Sequence, residues 1–503
     1  MRRWLTTILV IICCFATVKG QNGLGLYTLG DAVPQNSRLN PANEIKGKLV
    51  LGLPVISEMG LHVNNRFGYN RAFTKLENDS VKLDVDKVVS HLKKRNALLF
   101  ETSIPLLYVG IKPEKSSFGY SFFVNERINV RGQYTKNLIK AAWEGTNSLV
   151  GQPLNIGKSA FSASYFREYG VGVNTSLMND DLKIGARIKL IQGIYNVKTL
   201  WGMDARVDIE PETYSYGFLF KRAGLNAAGV NEYPSVGYLL SNPNKGAAID
   251  LGATWTHQNL YSLSASITDL GYVRWKEFSQ NFILSDTSFA FQGVYFTADG
   301  DIESTIDSLK NAFTPKETAD PYSAMLSAKS IVSGSLLLGP VDRVTVTMMN
   351  QLLVGKVKSA FAVSYVKQLT PGIVASGSVV KLPQQWPRPG LALSMTGGPV
   401  QYYIASDNLI GFANVGNMNT LDFKMGVNLI IGSGKAKKET DLPPAHRSKP
   451  KFSSNDEGVD YPTDPRLKKP TVIRKKDIYT IITKKKQPKT WKSWFKKKKK
   501  EDN

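Results

Sequence analysis

Cysteine is nearly absent from this chain of 503 residues. The two cysteines, Cys13 and Cys14, lie in an apolar stretch that follows two arginines, and this pattern predicts a secretory signal peptide at residues 1–20. A lipoprotein signal would need a small residue where Ile12 stands before Cys13. Once the peptide is removed no cysteine is left, which excludes disulfides, zinc thiolate sites and thiol nucleophiles.

Long apolar runs are also missing. Beyond the signal, none approaches the roughly 18 to 20 residues that a membrane-spanning helix needs. Only helices and closed barrels satisfy every backbone group in lipid, so the mature chain would cross a membrane as strands or not at all. The mean hydropathy of −0.19 does not decide between these, because transmembrane barrels also carry polar residues at every second position.

Motifs for catalysis and cofactor binding are missing as well. The four histidines are far apart in the sequence and show no metal-ligand spacing. Gly157-Lys158-Ser159 resembles the end of a phosphate-binding loop, but the upstream Gly151 lies one residue too far away. Asp250 and Asp269 would be candidates for an acid–base pair, although the plainer interpretation is that each organises a turn or a hydrogen-bond network. We therefore predict no enzyme activity, no cofactor and no metal.

Negative charge is scarce: 64 Lys and Arg face 41 Asp and Glu, a formal net charge of +23. Residues 435–503 hold 22 of the basic and 9 of the acidic residues, with several prolines among them. Such a composition cannot bury enough apolar surface to fold alone, so we predict a disordered basic tail there. Residues 21–434 carry only about +7.

The tail contains a candidate binding surface. Lysines near a membrane are attracted to anionic head groups at about 1 kcal/mol per charge, and aromatic side chains add interfacial anchoring. Anionic lipid, the cell wall, an acidic periplasmic protein and no partner at all remain open, whereas export argues against nucleic acid. The residues concerned are Lys484, Lys485, Lys486, Trp491, Trp494, Phe495, Lys496, Lys497 and Lys498.

Alternation with a period of two is what the sequence has in abundance. Phe118, Tyr120, Phe122 and Val124 are apolar, and most of the residues between them are small or polar. Side chains alternate across a strand, so one face is apolar and the other is not. The pattern recurs along the chain and predicts an all-β protein, a transmembrane antiparallel β-barrel of about 14 strands. A soluble β-sandwich is the alternative.

The barrel is predicted to span residues 46–434. One of its strands carries Lys183, Arg187 and Lys189 on the face opposite its apolar residues, which fits a polar lumen. There they would either attract anionic solutes or balance lumen carboxylates. Residues 21–45 lack periodicity, so we predict an N-terminal segment that plugs the lumen or leads into the first strand.

Other segments break the strand pattern. We predict a short helix within residues 134–150, a long loop at 211–245, and a helix at 301–310 inside a large loop at 276–325. Aromatic residues that fit girdles at the membrane interface, or ordinary strand positions, are Trp201, Trp255, Trp275, Tyr402 and Tyr403.

Six short motifs along the chain carry a resemblance to known proteins. The motifs are Asn40-Pro-Ala, Asp250-Leu-Gly, Asp269-Leu-Gly-Tyr-Val-Arg-Trp, Gly398-Pro-Val-Gln-Tyr-Tyr, Ser406-Asp-Asn408 and Met425-Gly-Val-Asn-Leu-Ile-Ile-Gly432. Together they resemble motifs of Bacteroidota outer-membrane barrels. The chain resembles an uncharacterised family of that phylum and, more distantly, type IX secretion membrane proteins of the PorP/SprF kind. The Asn40-Pro-Ala motif also resembles the hatch region of FadL-like barrels.

The resemblance implies a protein of the outer membrane of a Gram-negative bacterium. An even number of strands returns both ends of the barrel to one side, so we expect the tail in the periplasm. We predict a non-enzymatic accessory component of a secretion or gliding machine, whose tail docks a periplasmic partner. The alternative is a FadL-like transporter of small or hydrophobic molecules.

Overall fold

The computed structural model describes residues 23–432 apart from twelve gaps. The predicted signal peptide and the predicted basic tail lie outside the described residues. None of the helices in the described part is long and apolar enough to cross a membrane. The gaps are 65–67, 78–79, 146–148, 201–202, 231–234, 259, 292–312, 340, 354–355, 383–385, 415 and 417–419.

The described part of the chain is mostly strand, as the alternation predicted. The strands are β1 (Leu49–Gly52), β2 (Met59–Asn64), β3 (Phe73–Lys75), β4 (Val81–Leu83), β5 (Arg95–Ile111), β6 (Phe118–Thr135), β7 (Leu154–Asn155), β8 (Ala160–Leu177), β9 (Leu182–Thr199), β10 (Asp204–Ile209), β11 (Tyr216–Lys221), β12 (Gly224–Ala228), β13 (Lys245–His257), β14 (Tyr261–Trp275), β15 (Ser279–Ile283), β16 (Thr287–Phe291), β17 (Lys316–Thr318), β18 (Tyr322–Met325), β19 (Lys329–Leu337), β20 (Asp342–Leu353), β21 (Lys356–Thr370), β22 (Ile373–Lys381), β23 (Arg388–Gly397), β24 (Val400–Ser406) and β25 (Thr420–Ile431).

Helices occur only as short elements in the described residues. The α-helices are α1 (Leu24–Thr28), α2 (Tyr69–Ala72), α3 (Val85–His91), α4 (Lys136–Glu144), α5 (Val236–Leu240) and α6 (Leu409–Ala413), and the 3₁₀ helices are Gly30–Ala32, Pro34–Arg38 and Ile156–Lys158. The helix predicted within 134–150 is α4, in the connection between β6 and β8.

The main sheet closes on itself as a barrel of 14 antiparallel strands, which confirms the predicted fold class. The first barrel strand is split into β1 and β2, and both halves pair with β25 on one side and β5 on the other. This double pairing closes the sheet. The remaining barrel strands, in order, are β6, β8, β9, β13, β14, β19, β20, β21, β22, β23 and β24.

Apolar side chains cover the outer face of the barrel. In β6, Phe118, Tyr120 and Phe122 are 44%, 50% and 41% exposed, as expected for residues that face lipid. Phe123 breaks the alternation of residue types because it points into the lumen, where it is buried. A Cβ on Gly170 of β8 would lie 1.9 Å from the Phe123 ring, so this glycine makes room for it.

The two ends of the barrel differ. At one end the connections are short, for example 178–181, 371–372 and 398–399. At the other end they are long, for example 136–159 and 200–244. This is the arrangement of outer-membrane barrels, with short turns toward the periplasm and long loops outside. We call the two ends the short-turn end and the long-loop end.

The long connections have secondary structure that the sequence pattern did not predict. Residues 211–245, predicted as a loop, contain β11, β12 and α5. A separate four-stranded sheet joins β16, β11, β10 and β7 from three different connections. Its Phe218 ring stacks on Phe289 with ring centroids 4.8 Å apart, and Phe313 meets Phe218 edge-on at 5.2 Å. The helix predicted at 301–310 lies outside the described residues.

The predicted aromatic girdle is wrong at two positions. Trp275 and Tyr403 are 1% and 3% exposed and point into the barrel, whereas Tyr402 is 53% exposed. Neighbouring residues of a strand face opposite sides, so Tyr402 and Tyr403 cannot both meet lipid. Trp255 is partly exposed on the outside, and Trp201 lies outside the described residues.

Candidate functional site

Residues 23–45, called the plug from here on, lie inside the barrel. Leu24 packs with Ile331 and Met349 on β19 and β20, whereas Leu26 packs with Tyr403 on β24. All these side chains are buried. The plug also makes hydrogen bonds to residues of barrel strands around the circumference. It therefore fills the lumen and does not simply extend the first strand.

The Ser406-Asp-Asn408 motif fastens one end of the plug. The Asp407 carboxylate accepts backbone N–H bonds from Gly23 and Leu24 at 3.2 and 3.1 Å, and from Gly25 at 2.5 Å. These N–H groups begin α1 and have no partner within the helix. A carboxylate there forms charge-assisted bonds, which are stronger than neutral ones. Asp407 is therefore a positioning residue for the plug.

The Asn40-Pro-Ala motif presses against the inner wall between β9 and β13. Gly185 and Gly252 are opposite each other in the register of these strands. A Cβ on Gly185 would lie 2.1 Å from the Pro41 carbonyl oxygen, and one on Gly252 would lie 2.1 Å from Asn40 Oδ1. Asn40 also donates to Ser264 Oγ at 2.8 Å. The two glycines thus form the seat of the motif.

Further wall residues hold the plug backbone. Arg343 Nη2 donates to the Thr28 carbonyl at 2.6 Å, and Arg187 Nη1 donates to the Ser37 carbonyl at 2.9 Å. The Gln401 amide donates to the Ala32 carbonyl, and Gln35 and Asn428 join their amides at 2.7 Å. These polar contacts, which can be exchanged for water, hold the plug together with the apolar packing of Leu24 and Leu26.

The three lumen charges predicted from the sequence are all paired with carboxylates. Lys183 reaches Asp31 and Glu44 of the plug at 2.7 and 3.2 Å. Burial acts to raise the pKa of Asp31, but the ammonium groups of Lys183 and Lys46, with hydrogen bonds from Lys183 and the Glu44 N–H, together hold this pKa below its usual value. Arg187 and Lys189 are 3% exposed. In this structure Lys183, Arg187 and Lys189 therefore balance lumen carboxylates.

The Asp250-Leu-Gly and Asp269-Leu-Gly motifs meet at a β-bulge between β13 and β14. Asp269 has a φ of 59°, and its N–H donates to Asp250 Oδ1 at 2.7 Å. Lys189 lies 2.7 Å from Asp250 Oδ1. The bulge aims both carboxylates into the lumen, where they organise an ion-pair network.

Arg127 is the centre of that network, and the sequence analysis did not identify it. Its guanidinium forms two parallel bonds to Asp269, at 2.8 and 2.9 Å, and one to Glu168 at 3.1 Å. Bidentate pairs of this kind are among the strongest side-chain contacts. The available signal was an arginine at an inward position of a predicted strand, the same signal that identified Arg187.

Two more carboxylates of the lumen were missed, and each meets two cations. Glu101 pairs with Arg131 at 2.7 Å and Lys329 at 2.9 Å. Glu58 pairs with Arg38 at 2.5 Å and Lys424 at 4.0 Å. These contacts join segments distant in sequence, so no spacing pattern could have revealed them.

Two cavities of the filled lumen are lined by Arg127 and its ion-pair network. The larger, of about 70 Å³, is lined by the plug residues Gln35 and Arg38 and by most of the charged residues above. The smaller, of about 30 Å³, lies beside Trp275. Arg127 and Asp269 line both, so this ion pair separates them. Among the described residues, no group of three or more His, Cys, Asp or Glu side chains could hold a metal ion.

An apolar groove lies on the barrel wall where the plug touches it from within. Its volume is about 630 Å³, and its lining includes outward residues such as Phe118, Ile184 and Leu251. Gly185 and Gly252 also line it. The predicted tail site, Lys484 to Lys498, lies outside the described residues.

A model of a family of unknown function, DUF5723, matches residues 41–407. The chain belongs to this family. The DUF5723 match extends over most of the barrel and includes Arg127, Asp250, Asp269 and Asp407. Among curated proteins, none matches the chain.

Solved structures similar to this DUF5723 protein are distant from it. The Ralstonia pickettii toluene transporter TbuX matches with TM-score 0.36 and 8% identity, over 80% of this chain and 93% of that chain. A Pseudomonas aeruginosa FadL homologue matches with TM-score 0.36 and 9% identity, over 82% and 97%. The translocator domain of the Neisseria meningitidis autotransporter NalP matches with TM-score 0.27 and 8% identity, over 77% and 89%. At these TM-scores the likeness carries no argument about function.

Proposed function

We propose that this protein is an outer-membrane transporter of small hydrophobic molecules, closed in the described conformation by its plug. One observation carries the proposal: the plug fills the lumen but pairs with no barrel strand along its length in the described residues. It is held by side-chain hydrogen bonds, ion pairs and apolar side-chain packing instead. An element of this kind can leave while the wall stays intact, which is what a gate requires.

The outer groove supports a hydrophobic cargo. The groove is apolar and faces lipid, and Gly185 and Gly252 leave only backbone between it and the plug. An apolar molecule that reaches this part of the lumen has a short distance to the hydrocarbon. The lumen itself carries buried ion pairs, which would discourage apolar molecules from filling its centre.

The long-loop end supports the same cargo. Phe218, Phe289 and Phe313 form an aromatic cluster there, and Phe313 is 40% exposed. Aromatic faces bind apolar and aromatic molecules by stacking and by burial of surface. The cluster would collect such molecules at the outer entrance.

The accessory role in secretion or gliding remains a second candidate. It depends on the basic tail, which lies outside the described residues, and on the resemblance to barrels of the PorP/SprF kind in Bacteroidota. The plug and the groove favour transport over this role. Both candidate functions place the tail in the periplasm.

A reversible lock on the plug tests transport. Thr28 Oγ1 of the plug and Ser376 Oγ of β22 are 2.7 Å apart, so the variant T28C/S376C should form a disulfide in the otherwise cysteine-free mature chain. The measurement is uptake of radiolabelled naphthalene into cells, before and after reduction. We expect uptake to fall to background in the oxidised protein and to return with dithiothreitol.

A matched control puts the disulfide in the wall. Ser335 Oγ and Thr345 Oγ1 face each other across β19 and β20 at 2.8 Å, so S335C/T345C should cross-link two wall strands and leave the plug without a covalent bond. Its uptake should equal that of the unmodified protein. Equal uptake by the locked and the reduced plug variant would contradict the proposal.

A further inference from the structure

Cations outnumber carboxylates among the charged residues that line the two cavities. Glu58 and Glu101 each pair with two cations. Glu168, Asp250 and Asp269 together pair with three. Seven cations therefore face five carboxylates among the ion-paired residues that line the two cavities.

Other carboxylates do not remove the whole surplus. Asp422 and Asp407 line neither cavity. Asp422 is engaged with His62 at 2.7 Å, and Asp407 with the plug backbone. Lys424 is also within the field of Asp407. Assigning Lys424 to Asp407 leaves six cations that face the five carboxylates of the two cavities.

A second observation points to a ligand at the same place. Arg187 lines the larger cavity and is 3% exposed. Its Nε–H has no hydrogen-bond acceptor, because the nearest carboxylate oxygen, Asp250 Oδ2, is 3.7 Å away. A buried donor of this kind needs water or a bound group.

An uncompensated buried charge is costly, so a counter-ion would stabilise the fold. The cavity of about 70 Å³ has room for one, because a water-sized particle needs only about 10 to 15 Å³ by the same measure. An ion of chloride size therefore fits without any movement of the wall.

We propose that the larger lumen cavity binds a small monovalent anion of chloride size. Arg187, Lys329 and Lys424 all line this cavity, and the free Nε–H of Arg187 supplies a donor for the ion. Small carboxylates share this chemistry, and the experiment separates them from halide. The site is independent of what the barrel transports.

The test adds a negative charge to the protein beside the cavity, in place of the bound anion. Asn129 is buried and lines both cavities, so N129D adds a carboxylate beside the surplus. The probe is sodium chloride or sodium acetate, exchanged against sodium gluconate at constant ionic strength. The readouts are the unfolding temperature of the full-length barrel in micelles and the ³⁵Cl line width.

We expect the unfolding temperature of the unchanged protein to rise with chloride and to saturate. N129D should lose both this rise and the excess ³⁵Cl broadening, and should be at least as stable in gluconate. Should N129D fail to fold, K329Q removes one of the two cations on Glu101 and must weaken the chloride effect.

Lys183 supplies the control, because it lies outside both cavities and pairs with Asp31 and Glu44. K183Q should keep the chloride dependence. A similar rise with acetate would place small carboxylates at the same site. No difference between chloride and gluconate in the unchanged protein, or a dependence that survives in N129D, would overturn the proposal.

Discussion

Asp407 accepts a hydrogen bond from the backbone N–H of Leu24 at 3.1 Å, although 383 positions separate the two residues. Asp407 directly follows β24, a barrel strand that lies far downstream of the plug in the sequence. Closing the barrel and seating the plug are therefore linked. The last strands must be in place before the first residues of the described chain find their partner.

Removing the Asp407 carboxylate should release the plug. D407A leaves three N–H groups of the plug without an acceptor, and each bond to a charged group contributes about 1.5 to 3 kcal/mol. The reporter is T28C, a cysteine at the buried Thr28. We expect it to react with maleimide at least about tenfold faster in T28C/D407A than in T28C alone. D407N, which keeps one acceptor oxygen, should be intermediate. An unchanged rate in D407A would show that Asp407 does not hold the plug.

One methyl group on Gly252 should unseat the Asn40-Pro-Ala motif. The added Cβ of G252A would lie 2.1 Å from Asn40 Oδ1, and nothing lies within 4 Å of a Cβ at Gly377. G252A should therefore speed maleimide labelling of the T28C reporter, and G377A should not. Equal effects of the two alanines would mean that the plug tolerates the contact.

The sequence predicted the strands of the barrel wall better than the contacts in the lumen. The Phe118 row identified the outer face because alternation is a local property of a strand. The pairing of Asp407 with Leu24, or of Arg127 with Asp269, joins segments that no spacing rule connects. Trp275 and Tyr403 fitted the membrane interface as well as ordinary strand positions, because composition does not tell which face of a strand is outside. The positive φ of Asp269 belongs to a bulge that only the register reveals.

The Arg127–Asp269 pair should matter much more than a surface pair. R127M leaves Asp269 and Glu168 buried without their main partner, which typically costs about 3 to 5 kcal/mol. The double variant R127M/D269N should lose less than R127M alone. Denaturant unfolding of the barrel measures both.

The exposed pair of Lys48 and Glu114 is the comparison, since its side chains are 56% and 64% exposed. E114Q should change the free energy of unfolding by less than about 1 kcal/mol. A cost for E114Q as large as that for R127M would contradict the role assigned to the buried network.

Deleting the basic tail, residues 435–503, separates the two candidate functions. If the barrel is a transporter, naphthalene uptake should be unchanged in the truncated protein, because the plug and the groove are both retained. The truncated barrel should still shift its gel mobility on heating, which controls for folding. A loss of uptake with the barrel still folded would favour a role for a partner bound through the tail.

Neighbouring residues of β6 should respond to opposite reagents if the barrel lies in a membrane. Tyr120 is 50% exposed on the outer face, and Ser121 next to it faces the lumen side of the same strand. In proteoliposomes, Y120C should react with a lipid-soluble maleimide and resist a charged one. S121C should resist the lipid-soluble reagent, because the barrel wall separates it from the acyl chains. Rapid labelling of Y120C by the charged reagent would mean that water, and not lipid, covers this face, and the protein would then be a soluble barrel.

A charged substitution at Tyr120 tests the same placement through the stability of the barrel. Y120R should destabilise the barrel by up to about 2 to 4 kcal/mol if the position lies near the middle of the bilayer.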